Sequence, residues 1–129
     1  MASKMKLSME ATKNLEQMAS NLNLRRNVIC RLALGISLGI EEPPLIDDSD
    51  YGGMEFNKPT IMGTDEQILS ALLTHHFGKK MIPDDLFSTY IRAEIIRGLS
   101  IMVSDYNKLN SPSDYFKMLC KNDGEVFID

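Results

Sequence analysis

The pair His75-His76 is the most suggestive of chemistry in this sequence, because imidazole is both a metal ligand and a general base. Adjacent positions on a helix point about 100° apart, whereas a helical zinc site uses ligands three or four residues apart. The two cysteines, Cys30 and Cys120, each lack a second cysteine or histidine at ligand spacing. We therefore expect neither a metal site nor thiol catalysis, and structural or surface roles for all four side chains.

The carboxylates and glycines also form no recognisable site. The acidic run from Asp47 to Asp50 lacks the bidentate glutamate that closes a calcium loop at its twelfth position. Asp84 and Asp85 follow Pro83, where the dipole of a helix's first turn explains negative charge. The glycines match neither the phosphate-binding loop nor the dinucleotide-binding pattern. The sequence thus predicts no enzyme active site and no cofactor.

Basic side chains are the remaining candidates, because lysine and arginine bind phosphate oxygens without reading bases. Arg25 and Arg26 stand at the start of a predicted helix, where backbone N–H groups and the helix dipole also attract anions. Lys4 and Lys6 precede the first predicted helix, and Arg31 lies further along the second. These five residues are the candidate DNA contacts. On composition alone, a solvated helix start explains Arg25 and Arg26 equally well.

The distribution of charge favours this interpretation more than the total does. The 129 residues carry a formal net charge of -4. Residues 1–40 nevertheless hold six cationic against two acidic side chains, whereas residues 41–66 hold eight acidic against one cationic. Screening limits the reach of a surface charge to roughly 10 Å at moderate salt. A nucleic acid would therefore respond to the basic N-terminal part.

Length and composition indicate one domain over residues 1–129, in which 43% hydrophobic residues are enough for an ordinary core. No apolar stretch reaches the length of a membrane span, and no apolar leader follows Lys4 and Lys6. Two cysteines are too few for a disulfide framework in a chain of this size. We expect a cytoplasmic protein that does not bind membranes.

Periodicity predicts a mainly α fold, a compact helical domain of about five helices with a short N-terminal strand. Four parts follow one another, namely a basic strand-helix-helix part, an acidic loop, a helical part and a tail, at residues 1–40, 41–63, 64–121 and 122–129. In the first part, Ser8 caps a helix over 9–22, and a second helix runs over about 24–38 up to Gly39. In the acidic loop we expect a short strand around 54–56.

The helical part carries three further start signals. A capping box from Thr64 to Gln67 begins a third helix, which stops at Gly78. Pro83 opens a fourth helix, predicted to be the longest element, and Ser111 begins a short last one. The second helix is apolar on several sides and the fourth is long. Both features predict burial against further copies of the chain, in a homotetramer or, as the alternative, a dimer.

The N-terminal signature resembles that of the DndE family of DNA sulphur-modification proteins. The resemblance rests on Lys6-Leu7-Ser8, on the run LNLRRNVICRLAL that ends at Leu34, and on Ser37-Leu38. It implies a place in a bacterial complex that replaces a non-bridging phosphate oxygen of DNA with sulphur. Other subunits would supply the cysteine desulfurase, the iron–sulphur protein and the ATPase. This subunit would bind duplex DNA, or hold the complex on it, without catalysis.

The strand-helix-helix order is also similar to a ribbon-helix-helix unit, in which paired strands from two chains enter the major groove. Lys4 and Lys6 would then face the bases. This chain departs from that pattern by its short strand and by roughly ninety further residues. We therefore expect contacts to backbone phosphates, with a preference for nicked duplex, because exchange of a phosphate oxygen needs access to the backbone. Two alternatives stay open: an assembly subunit that binds protein partners, and a ribbon-helix-helix repressor.

Overall fold

The N-terminal part folds into a strand and two helices, in the predicted order. The computed structural model describes the backbone of residues 4–128 and the side chains of residues 4–121. Strand β1 spans Lys4–Lys6, helix α1 spans Met9–Leu22 and helix α2 spans Arg26–Leu38. The prediction of a mainly α fold with a short N-terminal strand is confirmed.

Local signals define the ends of these two helices. The Ser8 hydroxyl accepts a hydrogen bond from the backbone N–H of Ala11 at 3.0 Å, which confirms the predicted N-cap of α1. Asn23 ends α1 in the left-handed conformation, with a φ of 55°. Helix α2 ends before Gly39, as predicted, although Gly39 keeps a right-handed φ of -76°. The loop between the helices is therefore only three residues long, 23–25.

Strand β1 pairs with a strand of the same chain. It runs antiparallel to β2 (Glu55–Asn57), with Met5 opposite Phe56 and Lys6 opposite Glu55. Met5 and Phe56 point into the core, because side chains alternate across a strand, while the two lysines of β1 point outward. This ladder takes the place of the two-chain strand pair of a ribbon-helix-helix unit.

The region predicted as an acidic loop contains more structure than expected. The short strand predicted around residues 54–56 is confirmed as β2, but it leads directly into a short helix, α3 (Lys58–Met62), which was not predicted. Helix α4 follows at Glu66–Phe77 and stops at Gly78, as predicted, in the left-handed conformation with a φ of 70°. The predicted capping box is wrong, since the N-cap is Asp65 and its side chain makes no capping hydrogen bond.

The longest helical element begins at Pro83, as predicted. A short helix α5 (Pro83–Asp85) passes through a π-helical turn (Leu86–Ile91) into α6 (Arg92–Leu109) without a break. Helix α7 then spans Pro112–Ile128. It runs on beyond residue 121, where the sequence placed the start of a tail, and residue 129 lies outside the described residues.

The core is built around the contact between α2 and α6. Helix α6 packs most extensively on α2 and also contacts α1 and α7. Gly98 makes this possible, because a Cβ at this position would lie 2.0 Å from the Ala33 carbonyl oxygen. Helices α2 and α6 thus cover much of each other's apolar surface within one chain, and the predicted association with further copies stays a prediction. Within residues 4–128, none of the helices is both long and apolar enough to span a bilayer.

Candidate nucleic-acid interface

Lys4 and Lys6 lie on the outer face of the β1–β2 ladder. Both side chains are exposed, while Met5 between them is buried. The Lys4 ammonium lies 3.6 Å from the Glu55 carboxylate, and both side chains of this pair are well exposed, at 64% and 41%. Such a pair contributes little to stability and is readily exchanged for another anion. The strand therefore presents two cations on a rigid backbone.

A buried arginine fixes the backbone of this strand. Arg92, at the start of α6, is only 3% exposed. Its Nε–H donates to the Lys6 carbonyl at 2.5 Å, and its two terminal nitrogens donate to the carbonyls of Asp47 and Asp50 at 2.6 and 2.5 Å. The guanidinium also lies over the ring of Tyr51, at 4.2 Å from its centroid. One cation thus ties the acidic segment to the strand that carries the lysines.

The acidic segment uses its carboxylates to complete local backbone structure. Asp50 accepts hydrogen bonds from the N–H of Met9 at 2.8 Å and of Gly52 at 2.7 Å, and these lower the pKa of its carboxyl group. Hydrogen bonding to Ser49 likewise lowers the pKa of Asp47. Among residues 4–121, no three metal-binding side chains come together. The segment therefore supports the N-terminus of α1.

Arg25 and Arg26 lie at the N-terminus of α2. Both are exposed, and Arg25 occupies the N-cap position without a side-chain capping bond. Arg26 lies 3.6 Å from the Glu16 carboxylate in a pair that is more than half exposed on both sides. Within the described residues, the N–H groups of Arg26 and Asn27 have no protein acceptor. Two guanidinium groups and a helix N-terminus thus face solvent together.

Arg31 is engaged differently from the other four candidates. Its Nε–H and one terminal nitrogen donate to the carbonyls of Ile61 and Thr60, at 3.2 and 2.8 Å. These carbonyls belong to the last turn of α3, where a cation also suits the helix dipole. Arg31 lies five residues after Arg26, roughly 140° around the axis of α2. It therefore faces away from the arginine pair and holds α3 in place.

The four remaining cations form two groups at opposite ends of α1. Lys4 and Lys6 precede this helix, and Arg25 and Arg26 follow it. Helix α1 is about 21 Å long at 1.5 Å per residue. Each strand of a DNA duplex carries one phosphate per roughly 3.4 Å of axis, so a helix of this length spans about six phosphates. A single chain can thus offer two separate phosphate contacts.

His76, which the sequence singled out as half of a metal-like pair, belongs to a polar network around a buried carboxylate. Its Nδ1 contacts the Glu94 carboxylate, which is 0% exposed, and its Nε2 lies 2.6 Å from the Ile40 carbonyl. The Ser37 hydroxyl donates to the same carboxylate at 2.6 Å, and Arg97 donates to the Ser37 hydroxyl at 2.8 Å. The two ring nitrogens of His76 thus link the Glu94 carboxylate to the Ile40 carbonyl.

Sequence reasoning missed the residues that position the interface. Arg92 stands in an apolar part of the sequence, between Ile91 and Ala93. A charged residue in such a run indicates a buried side chain whose hydrogen bonds are satisfied within the protein. Glu94 gives the same signal two residues later. Their partners lie far away in the sequence, so the contacts themselves could not have been read from local patterns.

The comparisons with known proteins bear on the family and the fold. The sequence model for "DNA sulphur modification protein DndE" matches residues 4–110. The crystal structure of DndE from Escherichia coli B7A, involved in DNA phosphorothioation modification, is similar with a TM-score of 0.60 and 19% identity, over 78% of this chain and 97% of that chain. A DndE mutant with lysine at two glycine positions, involved in DNA phosphorothioation, gives a TM-score of 0.60 and 20% identity, over 79% and 97%. No curated protein matches the sequence significantly.

Proposed function

The chain belongs to the DndE family of DNA sulphur modification proteins, and on this premise we propose that it is a non-catalytic DNA-binding subunit of a phosphorothioation complex. It binds duplex DNA in the cytoplasm through backbone phosphates, using Lys4, Lys6, Arg25 and Arg26. The other subunits of the modification system are its protein partners, and it acts as a homo-oligomer, a tetramer or alternatively a dimer. It uses no cofactor of its own.

The observation that carries this proposal is the contrast between two sets of cations. Arg92 and Arg97 are satisfied inside the protein by backbone carbonyls and a hydroxyl. Lys6 and Arg25, by contrast, are exposed and form no ion pair within residues 4–121. Exposed cations on rigid elements can exchange water and counterions for phosphate oxygens at low cost.

The geometry favours phosphate contacts over base reading. Strand β1 has only three residues, and one of its edges is already paired with β2. A ribbon-helix-helix repressor instead inserts a strand pair from two chains into the major groove. The separation of the two basic groups along α1 suits points on a DNA backbone. If the complex has to distort the DNA backbone, we expect the protein to bind nicked duplex more tightly than intact duplex.

The polar network around Glu94 supports a role without catalysis. The Ser37 hydroxyl donates its hydrogen bond to the Glu94 carboxylate rather than to His76, and Nε2 of His76 contacts the Ile40 carbonyl. A nucleophile–base pair needs the serine hydroxyl to donate to the imidazole. The three side chains are therefore arranged as a structural clasp between α2, α4 and α6.

An assembly role is the second candidate, and exposed apolar side chains favour it. Ile68 on α4 is 63% exposed, and Leu72, one turn later on the same helix, is 45% exposed. Surfaces of this kind are typical of contacts with other proteins. In this alternative the chain meets DNA only within the complex, and the basic residues are solvated surface.

The test compares binding of intact and singly nicked duplexes of one sequence to the wild type and to a variant with Lys4, Lys6, Arg25 and Arg26 all changed to Ala. Lys117, exposed on α7, provides a matched control through Lys117→Ala. We expect the fourfold variant to lose most of its affinity and the control to keep it. Absence of binding by the wild type at low salt would favour the assembly subunit.

A further inference from the structure

The loop between α2 and β2 presents a leucine to solvent. Leu45 is 92% exposed, and the next residue, Ile46, is 44% exposed. Both follow the pair Pro43-Pro44, of which Pro44 is buried. The two proline rings restrict the backbone that leads to Leu45. Single exposed apolar residues are common on protein surfaces, so the exposure alone assigns no role to this leucine.

Two arginines of α6 hold the backbone on both sides of Leu45. Arg97 donates to the Glu42 carbonyl at 2.8 Å, and Arg92 donates to the Asp47 carbonyl at 2.6 Å. The arginines lie five residues apart on one helix, which is about 7.5 Å along its axis. The loop belongs to no helix or strand, yet the backbone that carries Leu45 is fixed at both ends.

Between these two contacts the loop has free backbone groups and an adjoining groove. Within residues 4–121, the N–H groups of Leu45 and Ile46 have no protein acceptor. The groove, of about 520 Å³, lies between the loop and α6 and is lined in part by Leu45, Ala93 and Ile96. Proteins recognise short segments through main-chain hydrogen bonds combined with pockets for single side chains. The loop has the features that such recognition needs.

The side chains that flank Leu45 along the sequence are acidic. Four exposed carboxylates surround it, those of Glu41, Glu42, Asp47 and Asp48. None of them forms an ion pair within residues 4–121. Such a surface repels DNA phosphates, and a two-fold pairing of the loop with itself would bring like charges together. A complementary surface instead has an apolar pocket surrounded by lysine or arginine side chains.

We infer that residues 41–48 dock on a basic, apolar pocket of another subunit of the modification complex, and that Leu45 is the side chain that enters this pocket. The inference rests on the proposed place of the chain in that complex, and it is independent of DNA binding by the cations at the two ends of α1. A leucine on a backbone that is already held loses little conformational entropy on binding. The carboxylates around it speed association and select a basic partner.

The first test is co-purification of the full chain with the cysteine desulfurase, the iron–sulphur protein and the ATPase of its modification system, after co-expression. Leu45→Asp places a charge where the pocket would receive an apolar side chain, and Leu45 has almost no buried surface to lose. The matched control is Ile82→Asp, at the N-cap of α5, because Ile82 is also apolar and 61% exposed. We expect Leu45→Asp to retain at least tenfold less of the bound subunits than the wild type, and Ile82→Asp to retain as much. Retention by Leu45→Asp at the wild-type level, or a wild type that binds no subunit, would overturn the inference.

A second test separates the apolar part of the contact from the charged part. It uses each subunit that the wild type retains, purified, and measures its dissociation constant at several salt concentrations. Leu45→Ala should weaken binding at every salt concentration. Glu41→Lys combined with Glu42→Lys should weaken it most at low salt, because screening already reduces the attraction at high salt. A salt dependence that this charge reversal leaves unchanged would contradict a basic pocket.

The mass and the DNA affinity of Leu45→Asp distinguish this inference from the proposed DNA binding and from self-association. Both quantities should equal those of the wild type, because phosphate binding and self-association do not use Leu45. A smaller mass would assign the loop to a contact with a second copy and would overturn the inference. If the wild type fails to bind DNA while Leu45→Asp still loses the other subunits, the DNA-binding proposal fails and the docking site stands.

Discussion

The Nε–H of Arg92 donates to the backbone carbonyl of Lys6 at 2.5 Å, across 86 positions of sequence. This bond fixes the strand that presents Lys6 to solvent. The same guanidinium binds the carbonyls of Asp47 and Asp50, so the acidic segment is held beside the strand. The rigidity of one half of the proposed DNA interface thus depends on a residue that does not itself reach the surface.

Replacing Arg92 by Met should be strongly destabilising. The change removes three hydrogen-bond donors, and the three carbonyl groups that they bind must then bind water or stay unpaired. We expect the free energy of unfolding to fall by roughly 3 kcal/mol or more. Urea unfolding followed by circular dichroism measures this cost. Arg25→Met, at an exposed site, should change the same quantity by less than about 0.5 kcal/mol. Equal stabilities of the two variants would show that the Arg92 contacts do not hold the fold.

Two glycines should respond in opposite directions to substitution by alanine. A Cβ at Gly98 would meet the backbone of Ala33, so Gly98→Ala should force α2 and α6 apart and cost about 1–3 kcal/mol or more. A Cβ at Gly35, within α2, would meet nothing within 4 Å, so Gly35→Ala should stabilise the protein by about 0.5–1 kcal/mol. Thermal or chemical unfolding of both variants measures the difference. A tolerated Gly98→Ala would contradict the close packing of these helices.

The two cysteines should differ sharply in reactivity. Cys30 is buried, and burial raises the pKa of its thiol from 9.0 to about 12. Cys120 is exposed. A thiol reagent at pH 8 should therefore label one thiol per chain quickly and the second only on unfolding. The variant Cys120→Ser should lose the fast phase. Rapid labelling of Cys30 in the folded protein would refute its burial between α2 and the rest of the core.

Tyr115 provides a test that depends on pH. Its side chain is fully buried, and within residues 4–121 its hydroxyl has no hydrogen-bond partner. Tyr115→Phe should therefore leave stability at pH 7 unchanged or raise it by up to about 1–3 kcal/mol. Burial, with a contribution from Asp105, raises the pKa of Tyr115 from 10.0 to about 12.

The sign of the pH effect follows from this shift. Between pH 10 and 12 the unfolded chain loses the phenolic proton and the folded chain keeps it, so stability falls as the pH rises. The fall approaches about 1.4 kcal/mol per pH unit for this group. Tyr115→Phe should remove this part of the alkaline destabilisation, which unfolding curves at pH 9, 10 and 11 would measure. An unchanged pH dependence in the variant would mean that Tyr115 ionises equally in both states.

Local chemistry explains what the sequence predicted correctly. The Ser8 cap, Gly78 and Pro83 each act within a few residues, and the structure confirms all three. The pairing of β1 with β2 and the contact of Arg92 with Lys6 join distant segments, so no local pattern contains them. The sequence showed that α2 is apolar on several sides, but it did not show that α6 covers this surface. The exposure of α4 likewise became visible only once its neighbours were placed.

The central claim is that cations at both ends of α1 bind DNA phosphates, and the salt dependence of binding tests it most directly. The dissociation constant for a duplex of fixed sequence is measured at several salt concentrations for the wild type, Lys6→Ala, Arg25→Ala and the control Lys117→Ala. Each lost phosphate contact should reduce the steepness of log K against log salt by about 0.9. We predict that Lys6→Ala and Arg25→Ala each show this reduction and that Lys117→Ala does not. Identical slopes for all four proteins would contradict the claim.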